Sequence, residues 1–148
     1  MQHKTSGGFL IFQIKQVQGR IFQRLLEESG IDAFNGAQGR ILYVLWQTGQ
    51  APILEISKKT GLAKTTLTSM LDRMEASGLI QRRPDGHDRR ITQIVLTEQA
   101  KQYRGEYDAV SDRMAELFYQ GFRGEEISSL ETLLERVLEN LNRYEAQK

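Results

Sequence analysis

The chain has no cysteine among its 148 residues. That absence removes disulfides, thiol nucleophiles, thiolate metal sites and thiol-based peroxide sensing. Histidine is almost as scarce: His3 lies in a terminus expected to fray, and His87 lies in a polar turn. A lone exposed histidine is far more often solvated than metal-ligating, so no metal site is expected. There is no glycine-rich phosphate loop. The adjacent pairs Glu27-Glu28 and Glu125-Glu126 point to different helix faces, not to one site. No enzyme activity is expected. The strongest apolar run near the start, Phe9-Leu10-Ile11-Phe12, is far too short to span a bilayer. No basic-then-apolar signal segment is read before it. Together these absences predict a cytoplasmic protein with no membrane partner and no cofactor.

What is present is unevenly distributed. The formal net charge is only +1, yet residues 58–90 carry 8 Lys/Arg against 4 Asp/Glu, and residues 91–148 carry 7 against 11. A basic middle followed by an acidic C-terminal third suggests a nucleic-acid face and a separate solvated or oligomerising part. A segment of that size also reaches such an excess by chance, so charge alone decides little.

Hydrophobic periodicity divides the chain into helices and one hairpin. Phe9 to Glu28 has apolar residues close to helical spacing, including Phe12, Ile14, Val17, Phe22 and Leu26, and Ser29-Gly30 ends it. Asn35 suits the N-cap of a second helix, Gly36 to Thr48. Ala51-Pro52 reads as extended, because proline disfavours the helical region for the residue before it. Ile53 to Thr60 and Lys64 to Ser77 read as two helices joined at Gly61. Ile53, Ile56 and Leu62 are inward on the first and its turn, and Leu67, Met70, Leu71 and Met74 on the second. Leu79 to Arg83 and Ile91 to Leu96 read as hairpin strands. Thr97 would cap one long helix to about Tyr119, with Ala100, Tyr103, Tyr107, Val110, Met114, Leu117 and Phe118 inward. Gly121 and Gly124 bracket a break. The last helix carries a near-heptad stripe from Ile127 to Tyr144. The terminal helices either bury these stripes within one chain or, as the natural inference, form a homodimer.

Two features carry the chemistry. The outward residues of the helix beginning at Lys64 are Lys64, Thr65, Thr66, Thr68 and Ser69, with Arg73 one turn on. Short hydrogen-bonding side chains near a helix N-terminus, flanked by cations, suit the major groove of duplex DNA. An ordinary solvated face is the bland alternative. The hairpin then places Arg82, Arg83, Arg89 and Arg90 around one turn, with Asp85 and Asp88 offsetting part of their repulsion. Arginine suits a narrow minor groove. Asp88 can accept from Arg90 and hold Arg89 outward. The bland alternative here is a solubilising, aggregation-resistant hairpin.

The stretch Ile56-Ser57-Lys58-Lys59-Thr60-Gly61-Leu62-Ala63-Lys64-Thr65-Thr66-Leu67-Thr68 resembles the helix-turn-helix of the MarR family of bacterial transcriptional regulators. Leu71 to Ile80 resembles the end of that family's recognition helix, and Asp88-Arg89-Arg90 followed by Leu96-Thr97 is similar to its wing signature. The resemblance implies a mainly α fold with a small antiparallel β-wing (α+β), a winged helix-turn-helix over residues 35–97. Residues 1–34 and 98–148 would be the dimerisation parts. It implies a repressor of double-stranded operator DNA, released by a small-molecule effector. Lys64, Thr65, Thr66, Thr68 and Ser69 would face bases and phosphates, and Arg73 would contact phosphate. Arg89 or Arg90 would enter the minor groove with Asp88 orienting it. The chain departs from the family at Ser69, where many members have arginine. A small aromatic effector would sit between the first, second and fifth helices, with Tyr43, Trp46 and Tyr103 as conceivable lining residues; plain core packing is the alternative for these three. A winged-helix module that binds only proteins is the competing function.

Overall fold

A computed structural model describes residues 4–147; His3 lies outside them. Seven helices and three strands follow in the order α1 (Gly7–Glu28), α2 (Gly36–Thr48), β1 (Gln50–Pro52), α3 (Ile53–Thr60), α4 (Lys64–Ala76), β2 (Ile80–Pro84), β3 (Thr92–Leu96), α5 (Glu98–Lys101), α6 (Arg104–Phe118) and α7 (Gly124–Ala146). The chain divides into two compact units, one ending at Asp112 and the other beginning at Arg113.

The first unit is organised around α2. Asn35 caps it reciprocally: its Oδ1 accepts from the Gln38 N–H at 2.8 Å, and Gln38 Oε1 accepts from the Asn35 N–H at 3.0 Å. Two orphan donors at the helix start are thereby satisfied. Gly39, Ile41, Leu42, Val44, Leu45 and Trp46 are all buried. Around this helix stand Phe22, Phe34 and Tyr107, whose rings meet at centroid distances of 5.5–6.2 Å, with Trp46 at 5.1 Å from Tyr107. Leu67, Met70, Leu71 and Met74 bury the inner face of α4, as their spacing requires. Ile56 is fully buried on α3, while Ile53 and Leu62 are only half-buried.

Three corrections to the sequence reading concern the elements. The hairpin is part of a three-stranded sheet of order β1-β3-β2. The extended Ala51-Pro52 segment supplies the third strand, with Ala51 opposite Ile94 and 1% exposed. A buried small residue with a cross-strand partner makes this short segment part of the sheet. The first wing strand lies one residue later than expected, at Ile80–Pro84, and the second begins one residue later, at Thr92, and ends at Leu96 as expected. Ile91 belongs to the turn, its N–H donating to the Asp88 carbonyl at 3.0 Å and its carbonyl accepting from Asp85 at 2.9 Å.

The expected single helix after Thr97 is broken into α5 and α6. The cap itself holds: Thr97 Oγ1 accepts from the Ala100 N–H at 3.2 Å. The Ala100 carbonyl, however, accepts from the Trp46 indole N–H at 3.0 Å, and the N–H groups of Gln102 and Tyr103 tighten to partners three residues back. Arg104 Nη1 returns to the Trp46 carbonyl at 2.8 Å. A side chain inserted into the backbone ladder is a recognised cause of such a break.

The apolar residues of the first half of α1 are not core. Phe9, Phe12, Ile14 and Val17 are 44–65% exposed, and only Phe22 and Leu26 are buried on that helix. In the second unit, Leu117 is also exposed, contrary to its expected inward position. Gly121 turns the chain with φ +83°, a conformation that glycine adopts without penalty. Tyr119 donates to Glu131 at 2.7 Å, and Arg123 N–H donates to Glu126 at 2.8 Å, securing the start of α7. Leu133, Leu134, Val137, Leu138, Leu141 and Tyr144 remain exposed along α7. Among the described residues, no helix is long and apolar enough to cross a membrane.

Candidate nucleic-acid interface

The turn between α3 and α4 is stapled by its own hydroxyls. Ser57 Oγ donates to the Leu62 carbonyl at 2.7 Å. Thr60 Oγ1 donates to Ile56 at 2.7 Å and accepts from the Leu62 N–H at 3.2 Å. Gly61 holds φ +76°, the left-handed value that closes α3. These bonds fix where α4 starts, and therefore what its first turns present.

Lys64, Thr65, Thr66, Ser69 and Arg73 are exposed, and Thr68 is half-buried. Thr68 Oγ1 donates back to the Lys64 carbonyl at 2.8 Å, which uses its proton and leaves its lone pairs free. Arg73 Nη1 lies 3.5 Å from Ser69 Oγ, one turn away. The short side chain at Ser69 thus gives the Arg73 guanidinium a resting place along the helix. No intrahelical partner for that arginine was expected from sequence.

The wing tip is built by two aspartates with different tasks. Asp85 accepts from the backbone N–H groups of His87 and Asp88 at 2.9 and 3.0 Å, and from Gln93 Nε2 at 2.8 Å. The His87 amide, then the Gln93 amide and the Asp88 amide hold its carboxyl below the ordinary carboxylate value. It organises the turn and pairs with no arginine among the described residues, so its charge acts on the wing arginines without a direct ion pair. Asp88 takes the Arg90 guanidinium in a fork, with Nε and Nη2 each at 3.0 Å, and also the Arg90 backbone N–H at 3.0 Å. The Arg90 side chain is the main cause that lowers the Asp88 pKa, and the same pairing raises that of Arg90. Arg90 is nonetheless 90% exposed in its side chain. Arg89 is exposed and has no hydrogen-bond or ionic partner among the described residues.

The other two wing arginines differ. Arg82 is held by Glu75 and Asp72 of α4, at 2.5 and 2.8 Å, and Arg83 Nη2 donates to Gln81 at 2.6 Å. Of the expected ring of four arginines, Arg89 and Arg90 stand at the tip, Arg83 keeps its charge beside the neutral Gln81 amide, and Arg82 is neutralised at the base. The identities of Asp72, Glu75 and Gln93 as partners were not legible from local spacing, since each pairs across elements.

A cleft of ≈ 1220 Å³ opens beside α2, lined among others by Lys15, Phe22, Arg40, Tyr43, Lys59 and Leu62. Three cations and no carboxylate line it. Arg40 stacks over the Phe22 ring at 5.1 Å. Of the three aromatic residues expected to line an effector site, Tyr43 lines this cleft. Trp46 is 7% exposed with its indole N–H committed to Ala100, and Tyr103 stacks edge-on against Phe34 at 5.6 Å. Trp46 is a core residue and Tyr103 is half-buried, both serving the aromatic cluster and the α5–α6 break.

Comparison with known proteins matches this arrangement. The MarR family model matches residues 34–92. The chain is 30% identical over 139 residues to the HTH-type transcriptional repressor IacR of Pseudomonas putida, spanning 90% of this chain and 80% of that protein. A crystal structure of a mutant MarR from E. coli complexed with operator DNA superposes with a TM-score of 0.78 at 26% identity, over 88% of this chain and 92% of that one. Bordetella bronchiseptica BpsR, whose DNA binding is regulated by 6-hydroxynicotinic acid, superposes with a TM-score of 0.79 over 93% and 97% of the two chains. At 21% identity that last likeness shows the fold alone. The chain belongs to the MarR family of winged helix-turn-helix regulators.

Proposed function

We propose that the chain is a sequence-specific, double-stranded DNA-binding transcriptional repressor that grips an operator with α4 in the major groove and the wing tip in the flanking minor groove. The observation that carries this reading is the division of labour at the wing. Asp88 fixes Arg90 in a fork and leaves Arg89 without a partner among the described residues, beside a helix whose first turns expose Lys64, Thr65, Thr66 and Ser69. An unpaired arginine on an ordered turn suits the negative potential of a minor groove. Thr68, its proton committed to the Lys64 carbonyl, accepts from base amino groups, and Arg73 reaches phosphate by leaving Ser69. Residues 35–97 act as the DNA-binding part; residues 1–34 and 98–148 act in dimerisation, each offering exposed apolar residues for a second copy to cover. A twofold dimer reads two half-sites roughly one helical turn, about 10 bp, apart. The protein acts in the cytoplasm and performs no catalysis.

The cleft beside α2 is the effector site in this reading. Its cations and its aromatic residues Phe22 and Tyr43 suit a small aromatic molecule bearing negative charge. It is also lined by Thr60, Gly61 and Leu62, which immediately precede α4. A ligand there releases DNA by displacing the turn that sets the start of the recognition helix.

Selection of bound sequences from a random duplex pool tests the proposal. A pseudo-palindrome with half-sites about one turn apart is expected. A dimer that enriches no sequence favours a protein-interaction module instead.

A further inference from the structure

Arg82 stands apart from the other arginines of the wing. It lies on β2, opposite Ile94 of β3, with its side chain 24% exposed. Its Nη1 donates to Glu75 Oε1 at 2.5 Å and its Nη2 to Asp72 Oδ1 at 2.8 Å. Its backbone N–H adds a bond to Glu75 Oε2 at 3.3 Å. Asp72 and Glu75 are three residues apart, hence on one face of α4, and they flank Arg73. Both terminal nitrogens of the guanidinium are thus committed within the protein, across two elements.

We propose that Arg82 is a positioning residue for DNA reading, clamping the recognition helix and the wing into one unit so that both grooves are engaged together. The inference rests on the reading of α4 and the wing as the DNA-contacting elements. Another direct tie between α4 and the wing base is the Leu79 N–H, which donates to the Met74 carbonyl at 3.0 Å. The two are joined by the short connection through Gly78 and by the packing of Leu79 and Ile80, which are buried. β1 holds β3 from Gln93 to Val95, so the wing moves about its sheet base and its tip beyond that pairing moves most. A planar fork that engages two carboxylates restricts that motion in a way a point charge does not. Exposed single ion pairs contribute little to fold stability, so a partly exposed clamp acts on geometry more than on folding.

The test uses the full chain and a duplex selected from a random pool. Affinities are measured for Arg82→Gln and Arg89→Ala, singly and together, with thermal melts of each. In the otherwise unaltered protein, Arg89→Ala is expected to weaken binding by roughly 5- to 150-fold, as for a specific groove contact. In the Arg82→Gln background the same change is expected to cost less than about threefold, because the wing no longer holds its register. Equal costs in the two backgrounds overturn the proposal, since a residue that only adds charge or only stabilises the fold gives additive effects.

Two further variants separate positioning from neutralisation and from misfolding. Arg82→Lys retains charge and chain length but not the fork, and is expected to melt like the parent yet bind at least about fivefold more weakly. The triple change Arg82→Gln, Asp72→Asn, Glu75→Gln removes the clamp and leaves no unpaired carboxylate. It is expected to stay as weak as Arg82→Gln; recovery of parental affinity shows that Arg82 only masks the acids and overturns the proposal. If the parent chain itself enriches no duplex, the reading of α4 and the wing falls, and the clamp falls with it.

Discussion

At Gly39 a hydrogen atom is what lets α2 and the Tyr107 ring share one place. A Cβ built there would lie 2.6 Å from Tyr107 Cε1 and 3.3 Å from Phe34 Cε1. Gly39→Ala gains helix propensity of about 1 kcal/mol but overpacks an aromatic core, which costs about 1–3 kcal/mol. We expect net destabilisation of about 1 kcal/mol, read as a lower urea midpoint with unchanged slope. A midpoint at or above the parent's means that Tyr107 yields freely. Gly39 was not legible as a packing residue, because a helical glycine declares its partner only when that partner, 68 positions on, is in place. Asp88 is the opposite case. Its pairing with Arg90 spans two residues and was legible from sequence. Asp88→Asn keeps one acceptor but loses the charged fork, and is expected to weaken DNA binding while leaving the melting temperature within a few degrees. Unchanged affinity would show that Arg90 needs no strut.

Among the elements, the wing turn has the clearest pH dependence. The Asp85 and Asp88 carboxyls are both held below the ordinary value of 3.8. A depressed carboxylate stabilises the folded turn above its unfolded-state pKa, and that contribution is lost as pH falls through the folded value. The turn is therefore fully ordered at neutral pH and loosens only in strong acid. Carboxyl chemical shifts should titrate below 3.8, with protection of the His87, Asp88 and Arg90 amides disappearing together. Titration at or above the ordinary value contradicts the hydrogen-bond pattern. The elements that sequence located best were those with local signals: the Asn35 cap of α2, α3, and the apolar face of α4. The break between α5 and α6 was hidden because its cause is Trp46, more than fifty residues away. The extended conformation of Ala51-Pro52 was legible from the proline, but its place in the sheet was not, because three residues carry no periodicity and only pairing with β3 defines β1.

For the whole molecule, exposed hydrocarbon is the main unsettled surface. Phe9, Phe12, Ile14 and Val17 on α1 and Leu133, Leu134, Val137, Leu138 and Leu141 on α7 are exposed in the single chain. Stripes of this length mark an interface. Leu134→Lys with Leu138→Lys is expected to yield monomers in sedimentation and to lower operator affinity at least tenfold, because two half-sites are no longer bound by one linked body. A dimer that survives both changes places the interface elsewhere. The periodicity of α7 was visible in sequence, but whether its stripe met its own chain was not. An amphipathic helix looks the same in either case.

The most direct test of the account is the salt dependence of operator binding for the parent chain and for Arg89→Ala. Phosphate contacts by Lys64, Arg73 and the wing predict a steep, linear fall of log affinity with log salt, by several powers. Losing a groove-inserted arginine predicts weaker binding at every salt concentration, with a slope shallower by about one. A flat salt response, or an Arg89→Ala variant that binds like its parent, would contradict the grip inferred from α4 and the wing.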